Sequence, residues 1–513
     1  MGAMRSAATT GQVGRVRWGD VLLTAIACVS WSLIGMAGVA ALGLHLLGAD
    51  TAGSLGPMTA AAVVLGVGGS VTPSGDVSAF GLEGAEATTA IEVTPLGVGL
   101  AGALLLGFFF LRSLRALGVE ISPRELAARA GAVTALFLAM IGGLAWAGHD
   151  VITIDGASLG LDELPGAGGI TDDLPGGIGD LLPDRLGDLV EAEAAVGFTV
   201  DTGPSLFGAL VWVLGVLFIA LLASRRTALP AALSVLHRVV RPAVSALVAV
   251  LSVAVVAGLA AAAYAAVGDE HPGRIAGAAL LGAPNGVWLA VPLGMFVPWD
   301  GKATGALAEV LPAPLDEFFS ASADEPATIG RLAELDGRVW LLVVAVAVMM
   351  LFAGVLTAVR TPLDSLSRAG FAGRCAVRLG VVTALVVPLL VWLTSVSADA
   401  SLSVLGFDAF GAGLSLQGQA GMGLLLGAVW GAGAGGLGAL LACMSGAAGG
   451  RVSGFALSES APDPVAGQGA SGPYNPGAPF RPANPHTNPY LKIPDELRDP
   501  PEEEPPRGGW RRR

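Results

Sequence analysis

The sequence predicts an all-α membrane protein: eight transmembrane helices in two parallel four-helix halves, with short re-entrant or interfacial segments on the outer side. Three observations predict it. Hydrophobic residues make up 53% of the 513-residue chain and charged ones only 13%, about half the charge of an ordinary soluble domain. The apolar runs are separated by segments that alternate between arginine-rich and acidic. An arginine-rich stretch at 223–241 (ASRRTALPAALSVLHRVVR with its neighbours) joins two portions built on the same plan.

The N-terminal residues 1–20 carry Arg5, Arg15 and Arg17, and the first apolar run, 21–47, has no formal charge. A cleaved signal has an apolar core of only about 7–15 residues, so this run is read as an uncleaved first helix. It is long enough to cross about 30 Å of hydrocarbon. Three further runs, 95–111, 130–148 and 205–222, complete a first membrane half over 21–222. After the hinge at 223–241, runs at 242–267, 339–359, 379–396 and 420–441 make up a second half over 242–444.

The segments between these runs set the sidedness. The N-terminus, the loops 112–129, 223–241 and 360–378, and the chain after 441 hold 23 of the 28 Lys and Arg. By the positive-inside rule they are cytoplasmic, and so are both termini of a multi-pass plasma-membrane protein. The remaining loops, 48–94, 149–204, 268–338 and 397–419, hold 29 of the 41 Asp and Glu. In 149–204 the clusters of Gly, Pro and Asp predict turns rather than a packed layer of helix or strand.

Two segments on the outer side interrupt the count. Residues 58–71 (MTAAAVVLGVGGSV) are too short to cross. Residues 275–298 (IAGAALLGAPNGVWLAVPLGMFVP) are long enough, but Pro284, Pro292 and four glycines interrupt them. A full crossing there would put every later arginine loop outside. A re-entrant or interfacial hairpin broken at Gly282, Pro284, Asn285 and Gly286 is expected instead, its irregular backbone satisfied by surrounding helices.

The two halves share short motifs. Arg129 begins RAGAVTALF and Arg378 begins RLGVVTALV, which agree at six of nine positions, and Leu65-Gly66 with Val71 has the spacing of Leu281-Gly282 with Val287. An even number of crossings per half makes the repeat parallel rather than inverted. The last segment, 445–513, is proline-rich and polar, and is expected to be a disordered cytoplasmic tail. The Gly/Ala/Val-rich helices, the paired RxGxVTAL starts, the LGAPNG segment and this tail together resemble the actinobacterial streptophobe family. That resemblance implies an integral membrane protein of the cell envelope and brings no functional residues with it.

Candidate chemistry is sparse. Gly423, Gly427, Gly431 and Gly435 recur every four residues on the last helix, a smooth face for close helix approach. Packing within the chain is favoured over dimerisation. Residues 156–160 (GASLG) fit a GxSxG pattern, but no helix signal follows them. Asp172-Asp173 and Glu191 with Glu193 lack the spacing of a calcium loop. Gly301-Lys302 lacks the glycine five residues earlier that a P-loop needs. Cys28, Cys375 and Cys443 have no metal-ligand spacing. No catalytic, cofactor or metal site is therefore expected. The formal charge of −13 argues against nucleic acid. The expected partners are the lipid bilayer and a cytoplasmic protein reading the tail. The expected function is a structural or interaction role in the envelope, and the alternative is a transporter or channel for a neutral or apolar solute.

Overall fold

Apolar runs of 20 residues or more, rich in Leu, Val and Ala, fold as helices because in lipid every backbone polar group must be satisfied within the segment. The computed structural model describes residues 17–51, 53–75, 85–92, 94–117, 121–154, 194–227, 235–304, 326–363, 367–404 and 407–453. In chain order these form α1 (Trp18–Leu46), α2 (Leu55–Leu65), β1 (Ser70–Gly75), β2 (Ala85–Glu92), α3 (Leu96–Arg115) and α4 (Pro123–Ala147). Next come β3 (His149–Ile154), β4 (Ala194–Asp201), α5 (Thr202–Ala223), α6 (Leu236–Val239), α7 (Arg241–Ala266) and α8 (Pro272–Gly294). The chain continues with β5 (Trp299–Thr304), α9 (Ile329–Leu335), α10 (Trp340–Arg360), α11 (Arg368–Thr394), β6 (Val396–Val404), β7 (Phe407–Gly418) and α12 (Ala420–Met444).

Nine of the described helices are long and apolar enough to cross a membrane. The chain is thus an integral, multi-pass membrane protein that is mostly helical. Leu23, Leu104, Phe207, Val256, Val348, Leu385 and Val429 are exposed. A soluble protein would bury most of these; here they face lipid. The core lies between helices instead, with Met36, Leu106, Phe110, Phe137 and Ile141 fully buried in one cluster and Met350, Leu379 and Val387 in another.

Two helices start earlier than expected. α4 begins at Pro123, with Ser122 Oγ accepting the Glu125 N–H at 3.1 Å, which is a standard N-cap contact. α11 begins at Arg368 behind a similar cap from Ser367. Arg129 thus falls inside α4 and is 3% exposed. Its Nε donates to Glu125 Oε1 at 3.0 Å and its Nη1 to Thr24 Oγ1 of α1 at 3.0 Å, so the buried charge is paired and also tied to α1.

The seven described strands come from the segments on the acidic side of the helices, and they form one antiparallel sheet in the order β3-β4-β1-β2-β6-β7-β5. The loop at 149–204 therefore carries strand at both ends, contrary to expectation. Two three-stranded units of the same plan make up the sheet. In each, a hairpin between the third and fourth helices pairs through its second strand with the strand that follows the first helix pair. The first unit is β3-β4-β1, with His149 opposite Thr199 and Ser70 opposite Asp201. The second is β6-β7-β5, with Val396 opposite Leu416 and Trp299 opposite Gly418. Strand β2 joins them, pairing with β1 on one side and with β6 from Ala85↔Val404 to Glu92↔Ser397 on the other.

The segment expected as a broken hairpin at 275–298 is instead a continuous helix through residue 294, with Pro284 and Pro292 inside it. Its first turns lie against the end of α1: a Cβ on Gly277 would stand 2.7 Å from the Gly43 carbonyl and one on Gly43 2.7 Å from Leu281. Its last residue, Gly294, faces Val346 and Leu342 in the first turns of α10. Both ends of α8 thus lie at the sheet-side ends of neighbouring helices. The second sequence match between halves does not survive: Leu65-Gly66 ends α2 and Val71 is in β1, whereas Leu281, Gly282 and Val287 are all inside α8.

At the opposite end, Arg241 is 2% exposed and its Nη1 and Nη2 donate to the Thr227 and Leu221 carbonyls at 2.7 and 2.9 Å. These bonds tie the start of α7 to the end of α5. Residues 445–453, expected as the start of the tail, are ordered turns here. Gly449 N–H donates to the Ala358 carbonyl at 3.2 Å and Arg451 N–H to the Val359 carbonyl at 3.0 Å. Ser453 Oγ donates to the Arg225 carbonyl at 2.8 Å. The tail from 454 onward lies outside the described residues.

Candidate functional site

The glycine row on α12 meets a second row on α11 with the same four-residue spacing. A Cβ on Gly423 would stand 3.3 Å from Val387 Cγ1, one on Gly427 2.8 Å from the Thr383 carbonyl, one on Gly431 2.8 Å from the Leu379 carbonyl, and one on Gly435 2.7 Å from the Cys375 carbonyl. All four glycines are buried. Positions 375, 379 and 383 present their backbone carbonyls because the glycines leave room for them, and position 387 presents a side-chain methyl. The row therefore packs within the chain. Thr383 adds a local bond, donating its hydroxyl to the Leu379 carbonyl at 2.8 Å.

The α8 residues resolve differently from one another. Asn285 is the functional one in the structural sense: its Nδ2 donates to the Thr94 carbonyl at 2.7 Å and its Oδ1 accepts the Leu96 N–H at 3.0 Å. Leu96 opens α3, whose first N–H groups have no partner within the helix, so Asn285 caps α3 from another helix. Pro284, one residue earlier, has no N–H to give to the Leu280 carbonyl. Gly97, the second residue of α3, lies directly over that carbonyl, so close that any side chain there would collide with it. The proline, the asparagine and Gly97 thus form one joint between α8 and α3. Gly282 and Gly286 face open space and take no part in it.

The aromatic residues mark a boundary that sequence reasoning had not collected. Trp146, Tyr264, Trp340 and Trp392 are exposed at the sheet-side ends of α4, α7, α10 and α11. Tryptophan and tyrosine concentrate at membrane–water interfaces because their rings are apolar and their N–H or O–H is not. Phe296, between α8 and β5, has a φ of 70°. Its ring lies 6.4 Å from both Trp340 and Trp430. The signal was available as the position of each aromatic at the end of its apolar run.

No group of three or more His, Cys, Asp or Glu that could hold a metal occurs among the described residues. The three cysteines are free thiols. The GxSxG stretch at 156–160, with Asp172, Asp173, Glu191 and Glu193, lies outside the described residues. No protein-family model, no curated protein and no solved structure matches the chain.

Proposed function

We propose that this integral membrane protein serves as a structural or interaction component of the cell envelope. In this reading eight helices cross the bilayer in two parallel halves, α1, α3, α4 and α5 against α7, α10, α11 and α12, while α8 lies along the sheet-side boundary. The arginine-rich ends are cytoplasmic by the positive-inside rule, so the sheet faces outward. Three features support the arrangement: the repeated three-stranded units, the sheet-side placement of both ends of α8, and the aromatic boundary. The resemblance to the streptophobe family agrees with it but supplies no site.

The observation that carries the functional reading is the β2–β6 pairing, a ladder of eight residue pairs joining the two halves. Alternating access by rocking requires the halves to part on each side in turn. A strand ladder across their junction opposes that motion on the sheet side. The repeated plan favours the second reading, a transporter or channel for a neutral or apolar solute. Catalysis has no place in either. The interaction partner is a cytoplasmic protein reading the proline-rich segment after residue 454.

Co-purification in mild detergent, using the full chain and a chain ending at Ser460, tests this. The proposal expects a cytoplasmic protein to be recovered with the full chain and lost with the shortened one. Flux of small neutral solutes through reconstituted vesicles, unchanged by the truncation and accompanied by no lost partner, would overturn it in favour of transport.

A further inference from the structure

Three separate parts of the chain bring four arginines together at the end of the molecule opposite the sheet. Arg225 and Arg226 follow α5, Arg360 is the last residue of α10, and Arg451 lies in the turns after α12. The Arg225 guanidinium donates to the Arg451 carbonyl, and Arg360 Nη1 donates to Ser245 Oγ of α7 at 3.1 Å. Arg225 and Arg451 are near enough to Arg360 for their charges to act on it, and Arg226 and Arg451 act likewise on Arg225. The Arg17–Asp20 and Arg129–Glu125 ion pairs lie elsewhere and do not touch this cluster.

Like charges held together and partly withdrawn from water cost free energy unless a counter-charge joins them. Burial first, and then the neighbouring Arg226 and Arg451, lower the pKa of the Arg225 guanidinium from its ordinary value. The helices spend only part of the donor capacity of Arg225 and Arg360, each of which has five N–H groups in a planar fork suited to phosphate. The level is also informative. Arg360 ends a membrane helix and Arg225 stands two residues beyond another, where lipid headgroups lie.

We infer that Arg225, Arg360 and Arg451 form a binding site for a phosphate group, and that its occupant is the headgroup of an anionic phospholipid in the leaflet on the arginine side. The charge-assisted bonds are of the Arg–phosphate kind, and the lipid's acyl chains would lie against the exposed apolar faces of α10 and α7. The site needs no conformational change: a lipid reaches it laterally from the bilayer, which a soluble anion does not.

The test uses the full chain in nanodiscs of phosphatidylcholine alone, in nanodiscs with added phosphatidylglycerol, and in phosphatidylcholine with inorganic phosphate in the buffer. Native mass spectrometry reads retained lipid and thermal unfolding reads stabilisation. The expected result is preferential retention of phosphatidylglycerol and a higher Tm in its presence, with no matching effect of inorganic phosphate. Replacing one arginine near a lipid surface weakens binding about fivefold, so the double variant R360Q/R451Q should bind roughly 25-fold less. The double variant R112Q/R115Q, with two arginines removed from the end of α3, should bind like the parent. Four results would overturn the inference. One is no preference between the two lipids in the parent. Another is stabilisation by inorganic phosphate equal to that by lipid, which would point to a soluble ligand. A third is equal loss in R112Q/R115Q, which would mean general attraction rather than a site. The last is a preference that emerges only after residues 461–513 are removed, because the acidic residues of that segment would then be the occupant. Should R360Q/R451Q fold poorly, the conservative R360K/R451K keeps the charge and loses the fork. Reduced retention in it supports the site, and unchanged retention overturns it.

Discussion

The helices before and after the arginine-rich stretch 223–241, taken as a first and a second half, close on themselves by different means. In each, the first long helix packs against the second and third, and the fourth packs against the same two. Each contributes three strands in the same order to the sheet. In the second half the fourth helix, α12, lies on α11 with Gly427, Gly431 and Gly435 each against a backbone carbonyl. The corresponding helix of the first half, α5, turns Gly215 toward open space and makes its close approach only near its start, where Gly208 lies over Gly68. The helices between the first and second of each set differ as well. α2 has 11 residues and stays beside its own half, whereas α8 has 23 and reaches from α10 to α1 and α3. One topology therefore accepts two packing solutions. The longer connection is the one that crosses to the helices of the other half.

The largest expected effect breaks that contrast directly. Gly431→Leu places a branched side chain against the Leu379 carbonyl and the buried, β-branched Thr383 side chain of a neighbouring helix, and the carbonyl cannot yield as a flexible side chain would. It should cost at least about 3 kcal/mol, the upper range for overpacking, and lower the yield of folded protein in detergent. Gly215→Leu, in the matching helix of the first half, should leave the thermal transition nearly unchanged. Equal damage from both would mean that α5 and α12 are packed alike.

Asn285→Ala comes next and tests the joint between halves. It leaves the Thr94 carbonyl and the Leu96 N–H without their partner, and unsatisfied buried groups cost about 1–3 kcal/mol each. A fall in thermal stability, together with faster hydrogen exchange at the start of α3, is the expected outcome. Exchange that stays unchanged at residues 96–99 would show that α3 does not need the cap. A smaller effect distinguishes the two ends of the glycine row. Gly435→Ala puts a Cβ 2.7 Å from the Cys375 carbonyl, while Gly423→Ala meets only a Val387 methyl at 3.3 Å. The first should destabilise measurably and the second by less than about 0.5 kcal/mol, both read as shifts in Tm.

The same contrast explains what was legible beforehand. The long helices follow from uninterrupted apolar runs, and the glycine row on α12 follows from its four-residue spacing. Which neighbour it faced did not, since position 383 carries no mark of its role until α11 is laid beside it. Gly435, nearer the helix terminus, is as tightly placed as Gly431, which the spacing alone does not say. The strands were harder to see. VSADASLSV in β6 does alternate, but with residues as small as Ala and Ser the alternation is faint. Its partner, Glu92 opposite Ser397, is some 300 residues away. In α8, Pro284 and Pro292 looked like breaks. A proline inside a helix normally strands a carbonyl, and nothing in the local sequence says that Gly97 of another helix is there to cover the one at Leu280.

The central claim is that both three-stranded units lie on one side of the membrane, with α8 running along that side rather than through the bilayer. Its most direct test places a single cysteine at Thr153 in β3 or at Thr304 in β5, in a chain with Cys28, Cys375 and Cys443 replaced. Intact cells are then treated with a membrane-impermeant maleimide. The account predicts that both positions label from outside without permeabilisation. Labelling of Thr153→Cys from outside, with Thr304→Cys reached only after permeabilisation, would mean that α8 crosses, and would contradict it.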